Sequence, residues 1–471
     1  MRTRPSISRA TFAAVVLYCL SISGLSHAQN WEFNASADIG VIFTDNLFLE
    51  SSNEESELVY SIIPTLSLVS EGDRLFGAIE YRPEAYFYDT NSEFDSVADL
   101  LDANMTVALI PDTFFLYGSA VNFQSLVAPD GSFPFNNVVV TDNRVDSRVF
   151  EVRPYWQQQF GDTSVLTSYR AIRIEYDDEL LQTQEAQNVD FNLNNFSAGQ
   201  GLAWGLNYAS QNVEYDNGVE FSYGRAGATL GYWVSRSLRL FVVGGLETPL
   251  GDLQNGNLED DFYEAGFQWV PSTRANVEVA VGKRTFGDSF RLNASYALKR
   301  GSTQLSYSQE PATRAGLLFD RRPAQAIDSL DNFGDRAGFD DQFVQKRGQW
   351  SANLQFARMT VDFRVFDDRR SSRVAADGTQ LGDEAIRGAA IRTSWQLSRK
   401  LGLGGGLDYV IREVPPREDD AFGITLDATY ALSPRSSLEL TVSRRDENNQ
   451  NNTAIDYVEH QVRLFFRVSL Q

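Results

Sequence analysis

The chain has 471 residues, with 63 acidic side chains against 41 basic ones, two histidines and a single cysteine. So acidic a balance argues against a nucleic-acid binder, because phosphate contact depends on Lys and Arg displacing counterions. The lack of histidine and cysteine removes the Ser-His hydrolases and the thiolate or His-rich metal sites, so neither an enzyme nor a cofactor is expected.

In the first segment Arg2, Arg4 and Arg9 precede an apolar run from Phe12 to Leu25, and Ser26-His27-Ala28 stand before Gln29. This is the pattern of a secretory signal peptide, residues 1–28, cleaved after Ala28. The run is too short to cross about 30 Å of hydrocarbon as a helix. Cys19 lies inside it and leaves with it, so no disulfide is expected in the mature chain. Removing the three arginines from the 41 basic residues leaves 38 against 63 acids, a formal charge of −25. Almost all the remaining basic residues are arginine, lysine occurring only at 283, 299, 346 and 400. Arginine suits inward-facing ladders with carboxylates, because it stays charged and binds them bidentately; a GC-rich genome would give the same bias.

From residue 29 to 471 the sequence reads as one domain. Stretches of roughly ten to fifteen residues alternate apolar and polar, joined by connections that are short, then long, then short, as in a transmembrane β-barrel. The short connections carry turn-formers: Gly72-Asp73-Arg74, Pro111-Asp112-Thr113, Gly161-Asp162-Thr163, Ser235-Arg236-Ser237, Pro271-Ser272-Thr273, Arg300-Gly301, Ser398-Arg399-Lys400 and Ser433-Pro434-Arg435. The long ones are acidic and polar, spanning 45–56, 89–96, 127–145, 177–187, 249–260, 310–341, 368–383, 413–419 and 446–453. The fold class is therefore all-β, a single antiparallel barrel of about 22 strands, with 18 or 20 also compatible; an even number puts both termini in the periplasm. The hairpins near 200, 217, 287 and 358 carry the weakest turn signals.

Face assignments follow from the alternation. In the last segment Val462, Leu464, Phe466, Val468 and Leu470 share one face, and Glu459, Gln461, Arg463, Arg467 and Ser469 the other. Earlier, Val361, Phe363 and Val365 oppose Asp362, Arg364 and Asp368. The charged set must face water, since lipid contact costs roughly 2–4 kcal/mol for each midplane Arg. Trp156, Phe160, Trp269, Tyr296, Trp395 and Tyr430 lie beside short turns, where an interfacial girdle is expected. The candidate lumen-lining residues are Arg82, Glu84, Arg153, Asp362, Arg364, Glu439, Glu459, Arg463 and Arg467. Strand-borne arginines would favour anionic solutes, unless Glu84, Asp362, Glu439 and Glu459 pair with them and leave the wall neutral.

Other motifs are weaker. His460, the histidine left after cleavage, falls with the lipid-facing parity near the outer rim. Carboxylate pairs such as Asp260-Asp261 arise by chance in so acidic a chain. The stretch Asp252 to Asn257 only partly resembles a calcium loop. Gly402, Gly404 and Gly406 point inward, either relieving crowding or leaving room for an inward loop or a polymer.

The opening strands carry Gly40-Val41-Ile42-Phe43-Thr44-Asp45-Asn46-Leu47, Ile63-Pro64-Thr65-Leu66-Ser67-Leu68, Gly72-Asp73-Arg74-Leu75, Glu80-Tyr81-Arg82-Pro83 and Tyr86-Phe87-Tyr88. This resembles the outer-membrane β-barrel family associated with the PEP-CTERM/exosortase system, and the β-barrel porins of capsule and exopolysaccharide loci. The motif likeness covers about residues 31–90, and Pro64-Thr65 departs from the family's Pro-Gly. The resemblance implies an outer-membrane location, contact with lipid and lipopolysaccharide, and a channel or accessory role in exopolysaccharide export with periplasmic export components as partners. The alternatives are a general diffusion porin and a structural barrel plugged by its own loops. The 310–341 connection is the expected inward-folding loop. A TonB-type transporter fits less well, with no plug domain expected before the first strand. Mass spectrometry of outer-membrane fractions should find the mature chain beginning at or near Gln29; retention of residues 1–28 in the membrane-assembled protein would refute the processing site.

Overall fold

The computed structural model describes residues 30–126, 136–141, 143–178, 181–195, 201–248, 258–313, 341–375, 379–415, 417–449 and 456–470. Period-two alternation appears as strands β1 (Asn30–Thr44), β2 (Glu57–Glu71), β3 (Leu75–Tyr88), β4 (Ser96–Ile110), β5 (Phe114–Leu126), β6 (Arg144–Phe160), β7 (Thr163–Tyr176) and β8 (Gln184–Asn195). They continue as β9 (Leu202–Tyr215), β10 (Glu220–Ser235), β11 (Leu238–Glu247), β12 (Asp260–Ser272), β13 (Ala275–Arg284), β14 (Gly287–Leu298) and β15 (Gly301–Thr313). The remainder are β16 (Asp341–Gln355), β17 (Met359–Ala375), β18 (Glu384–Gln396), β19 (Leu401–Val414), β20 (Arg417–Ser433), β21 (Ser436–Asn449) and β22 (Tyr457–Ser469). Strands adjacent in sequence pair antiparallel, and β1 pairs with β22 from Ser36↔Ser469 to Thr44↔Gln461, closing a 22-stranded sheet into a barrel. The weak-signal hairpins are all present.

The long connections all lie at one end, where β9–β10, β13–β14 and β19–β20 are also joined by no more than four residues, and both described termini lie at the other, short-turn end. Gly161 turns with φ +59° in open space, where a side chain would strain the backbone. The long connections are shorter than the sequence suggests, because charged strand ends keep pairing: Glu413 faces Glu418 across the β19–β20 ladder, and Arg369 and Arg370 face Ala385 and Glu384 across β17–β18. The 310–341 connection begins after Thr313 and rejoins the barrel at Asp341; residues 314–340 lie outside the described residues.

The register puts Ile62, Leu206, Leu230, Val242, Leu305, Leu407, Leu426 and Leu464 on the outer surface, all well exposed. No described helix is long and apolar enough to cross a membrane. The exposed apolar band on the strands has the character of a lipid-facing barrel surface. Phe160, Trp269, Tyr296, Trp395 and Tyr430 stand exposed near the short turns, with Tyr60, Phe87, Tyr263 and Tyr409 toward the loop end. Val462, Leu464 and Phe466 face out while Glu459 and Gln461 are almost fully buried on the inner side, as the alternation predicts. Leu464→Arg should destabilise the folded barrel by about 2–4 kcal/mol if its site is near midplane. Arg467→Ala, which removes an exposed pair, should cost no more than about 1 kcal/mol. Urea titrations followed by gel heat-modifiability would compare the two; equal costs would mean the face assignment is inverted.

Candidate functional site: the enclosed face of the barrel

The enclosed face has two halves of different character. Toward the loop end it is packed with side chains. Arg284, at the end of β13, donates to Glu247 on β11 at 2.9 Å, to the Tyr223 hydroxyl on β10 at 3.0 Å and to Glu310 on β15 at 2.6 Å. On the opposite arc Arg412 meets Asp419 at 2.5 Å and Glu447 at 2.7 Å, and the Tyr457 hydroxyl donates to Glu447 at 3.0 Å. Arg373 contacts Glu384 at 2.9 Å on β18. Apart from Glu310, which is exposed, these charges are nearly solvent-free, which is tolerable only because each has a counter-charge and hydrogen bonds. Between the charged arcs, Phe123, Val149, Ile172, Ile174, Val213, Tyr215 and Phe221 form an apolar shelf across β5–β10.

The fourth sector of the loop end, over β1–β3 and β22, is occupied by residues 136–141, the described part of the connection into β6. Val138 and Val139 are buried against inward-facing Ile42, Val59, Tyr86 and Tyr88 and against Leu47, Leu49 and Tyr457. The Arg144 guanidinium donates to the carbonyls of Asn136 at 3.0 Å and Val139 at 3.1 Å. Val140 N–H bonds the Leu47 carbonyl at 3.0 Å, Tyr88 Oη donates to the Val138 carbonyl at 2.7 Å, and Asn137 donates to Glu84 at 3.0 Å. Leu49 adopts the left-handed conformation at φ 54°. That strain, roughly 1–3 kcal/mol, is offset by its burial with Val139 and Tyr457.

Toward the short turns the wall is lined by small polar groups. A groove of about 680 Å³ runs along β12–β17, bordered by Asn276, Ser295, Gln304, Ser351, Asn353 and Arg364. Farther round, a Cβ at Gly402 or Gly406 would meet nothing closer than 3.5 Å, so these glycines relieve no clash and leave the wall low. Glu71, Glu80 and Asp102 face inward here with no basic partner among the described residues, Glu80 standing directly opposite Asp102.

The sequence-selected residues share the inner face without converging on one site. Arg82 lies 3.4 Å from Glu84, and Arg153 3.5 Å from Glu151 and over the Tyr117 ring. Arg467 chelates Asp38 through bonds of 2.6 and 2.7 Å. Arg364 donates to Gln349 at 3.4 Å, while Asp362 accepts from Asn353 at 2.6 Å. Arg463 stands across from Ile42 and Thr441, and Glu439 across from Thr429 and Phe465. Much of the arginine charge is thus already matched, against the expectation of a basic wall. Glu84 and Glu459 face the packed loop end: Glu84 holds Asn137, and Glu459 accepts from Thr44 at 3.1 Å and Gln461 at 3.2 Å.

Two features went unrecognised in the sequence. The first is the clamp of Thr44-Asp45-Asn46. Asp45 accepts from His460 N–H at 2.7 Å and meets its Nδ1 at 2.7 Å, while Asn46 donates to the Val458 carbonyl at 3.1 Å. The second is the seated segment 136–141, whose signal is Val138-Val139-Val140 inside an otherwise polar connection.

No family model and no curated protein matches the chain. Among solved structures it is similar to the siderophore receptor PirA from Acinetobacter baumannii, at 8% identity and TM-score 0.51, covering 93% of this chain and 80% of that one. It also matches the FrpB iron transporter from Neisseria meningitidis at 10% identity and TM-score 0.48, covering 95% and 83%. A third match is Pseudomonas aeruginosa OccK2 (OpdF), crystallised with glucuronate, at 10% identity and TM-score 0.36, covering 93% and 99%. At such identities the likeness is one of fold, that of an outer-membrane β-barrel.

Arg284→Ala would strand Glu247 in the packed half and should cost roughly 3–5 kcal/mol. Arg369→Ala, at an exposed outer pair with Asp367, should cost less than about 1 kcal/mol. Denaturant midpoints in detergent or lipid would show the contrast, and equal midpoints would place Arg284 in water.

Proposed function

We propose that this barrel resides in the outer membrane and passes hydrophilic solutes, with an exported polysaccharide as the cargo suggested by the resemblance of its opening strands. The observation that carries the reading is the polar groove of about 680 Å³ on the inner wall of the short-turn half. Its amides and hydroxyls can exchange hydrogen bonds with water and with hydroxyl-rich solutes, and it presents few fixed charges to hold them. The low wall at Gly402 and Gly406 adds width to the same half, while Gly404 makes room for the Asp427 side chain. The periplasm is the compartment the short-turn end would face, so solutes would enter there.

The packed loop end favours a second reading, a closed structural barrel that anchors surface polymer without conducting. Planar-bilayer recordings separate the two: a passage gives discrete conductance steps, whereas a closed shell gives none from correctly folded protein. Because the named arginines are largely paired while Glu71, Glu80 and Asp102 are not, the reversal potential in a salt gradient should show a weak cation preference, and Glu80→Gln with Asp102→Asn should reduce it. A strong anion preference would mean that the arginines, and not these carboxylates, govern permeation. For the cargo, loss of surface polysaccharide on deletion of the gene is the expected result; unchanged export would leave a general porin.

A further inference from the structure

We propose that residues 136–141 form a releasable internal cap, latched by Arg144, that closes the β1–β3/β22 sector of the loop-end mouth. Residues 136–141 do not remain on the rim. They cross to the barrel seam, where Asn136 Nδ2 donates to Gln461 Oε1 at 2.5 Å, and they seat Val138 at 1% and Val139 at 0% exposure among inward-facing side chains. The seat is prepared on three sides: Leu47 from the first loop, Tyr88 from β3 and Tyr457 from β22. Arg144 supplies the hold, because one guanidinium bonds the carbonyls of Asn136, Asn137 and Val139, fixing the course of the segment at the strand it leads into. Apart from Arg144 and the Glu84 acceptor, the attachments are neutral hydrogen bonds and apolar contacts with Ile, Leu, Val and Tyr side chains. A segment so held is separable from the wall without breaking a strand ladder: it is not part of any strand, and its backbone bond to the first loop runs from Val140 N–H to the Leu47 carbonyl. The seating of the cap stands on these contacts alone; its effect on flux rests on the passage reading above.

Single-cysteine labelling tests the seating, because Cys19 is the chain's one cysteine and lies in the predicted signal segment. In purified, membrane-reconstituted protein, Val139→Cys should react with a maleimide far more slowly than Asn53→Cys in the exposed first loop. Adding Arg144→Ala should raise the Val139→Cys rate about tenfold or more, the factor set by losing one charge-assisted bond. Arg144→Lys should be intermediate, and heat-modifiability confirms that each variant is folded. Equal labelling at 139 and 53 with Arg144 intact would overturn the cap. In planar bilayers Arg144→Ala should raise single-channel conductance, and a Leu47→Cys/Val140→Cys cross-link should lower it until reductant is added. Labelling that responds as expected, with conductance indifferent to both changes, would overturn its role in closing the mouth. Absence of current from every variant, with labelling as expected, would support the cap and overturn the passage.

Discussion

Hydrocarbon offers no partner to a backbone N–H or carbonyl, so a sheet in lipid must find its own first edge again. Here that demand falls on β1 and β22. Nine register pairs join them, from Ser36↔Ser469 to Thr44↔Gln461. Below these, Leu470 N–H still reaches the Ala35 carbonyl at 2.7 Å. The seam is close enough to need Gly40: a Cβ there would come within 2.6 Å of the Phe465 ring and 2.4 Å of the Leu464 carbonyl. Above it, Asp45 and Asn46 cross to His460 and Val458, tying the ends of the two strands together. Once closure fixes the register, every side chain is assigned to lipid or lumen by parity alone.

Closure with 22 strands creates a second problem. A barrel of that number is wide, and barrels of this size keep something in the lumen. Among the described residues, side chains fill the loop end and leave the short-turn end open. Around the loop end, long residues such as Arg284, Arg370, Arg412, Phe123 and Tyr215 reach inward and bury one another, and the 136–141 segment occupies the remaining sector. Around the short-turn end the groove between β12 and β17 is walled mainly by Ser, Asn, Thr and Gln, and long charged side chains such as Glu80 and Arg467 stay exposed instead of burying one another. Side-chain packing, more than strand geometry, makes the interior asymmetric.

The strands, their alternation and the closed all-β fold were legible because lipid imposes one simple rule on each position. Val462, Leu464 and Phe466 could be assigned outward from period two without knowledge of any neighbour. What was not legible depends on residues distant in sequence. Glu84 and Arg82 look alike as inward charges, but Glu84 sits where Asn137 arrives from more than fifty positions away. The charged stretches after Arg412 and Asp368 read as loops, because polarity signals solvent; they extend as strands because their charges pair across to adjacent strands, Asp419 with Arg412 and Arg373 with Glu384. Thr44-Asp45-Asn46 was visible as part of a family-like motif, but its role as a seam clamp needs His460 at the other end of the chain.

Arginine abundance shows how the same residue can argue for two different things. Counted along the sequence, it suggests a charged conduit. Placed in the barrel, Arg284 and Arg412 sit between carboxylates in a region that excludes water, and Arg467 is held by Asp38. A guanidinium already bonded to a carboxylate contributes a dipole, and its field falls off quickly compared with that of a free charge. Fixed pairs therefore stiffen the wall and, in a conducting barrel, would contribute little to selection among solutes. Selection would fall to groups left without counter-charge, among them Glu80 and Asp102, which stand opposite one another in the open half. Like charges facing across a ladder are destabilising unless water or a cation fills the space between them. Their presence there is consistent with a hydrated short-turn half, and the buried ion pairs with a dry loop end, so the boundary between water and packed protein lies within the barrel wall itself.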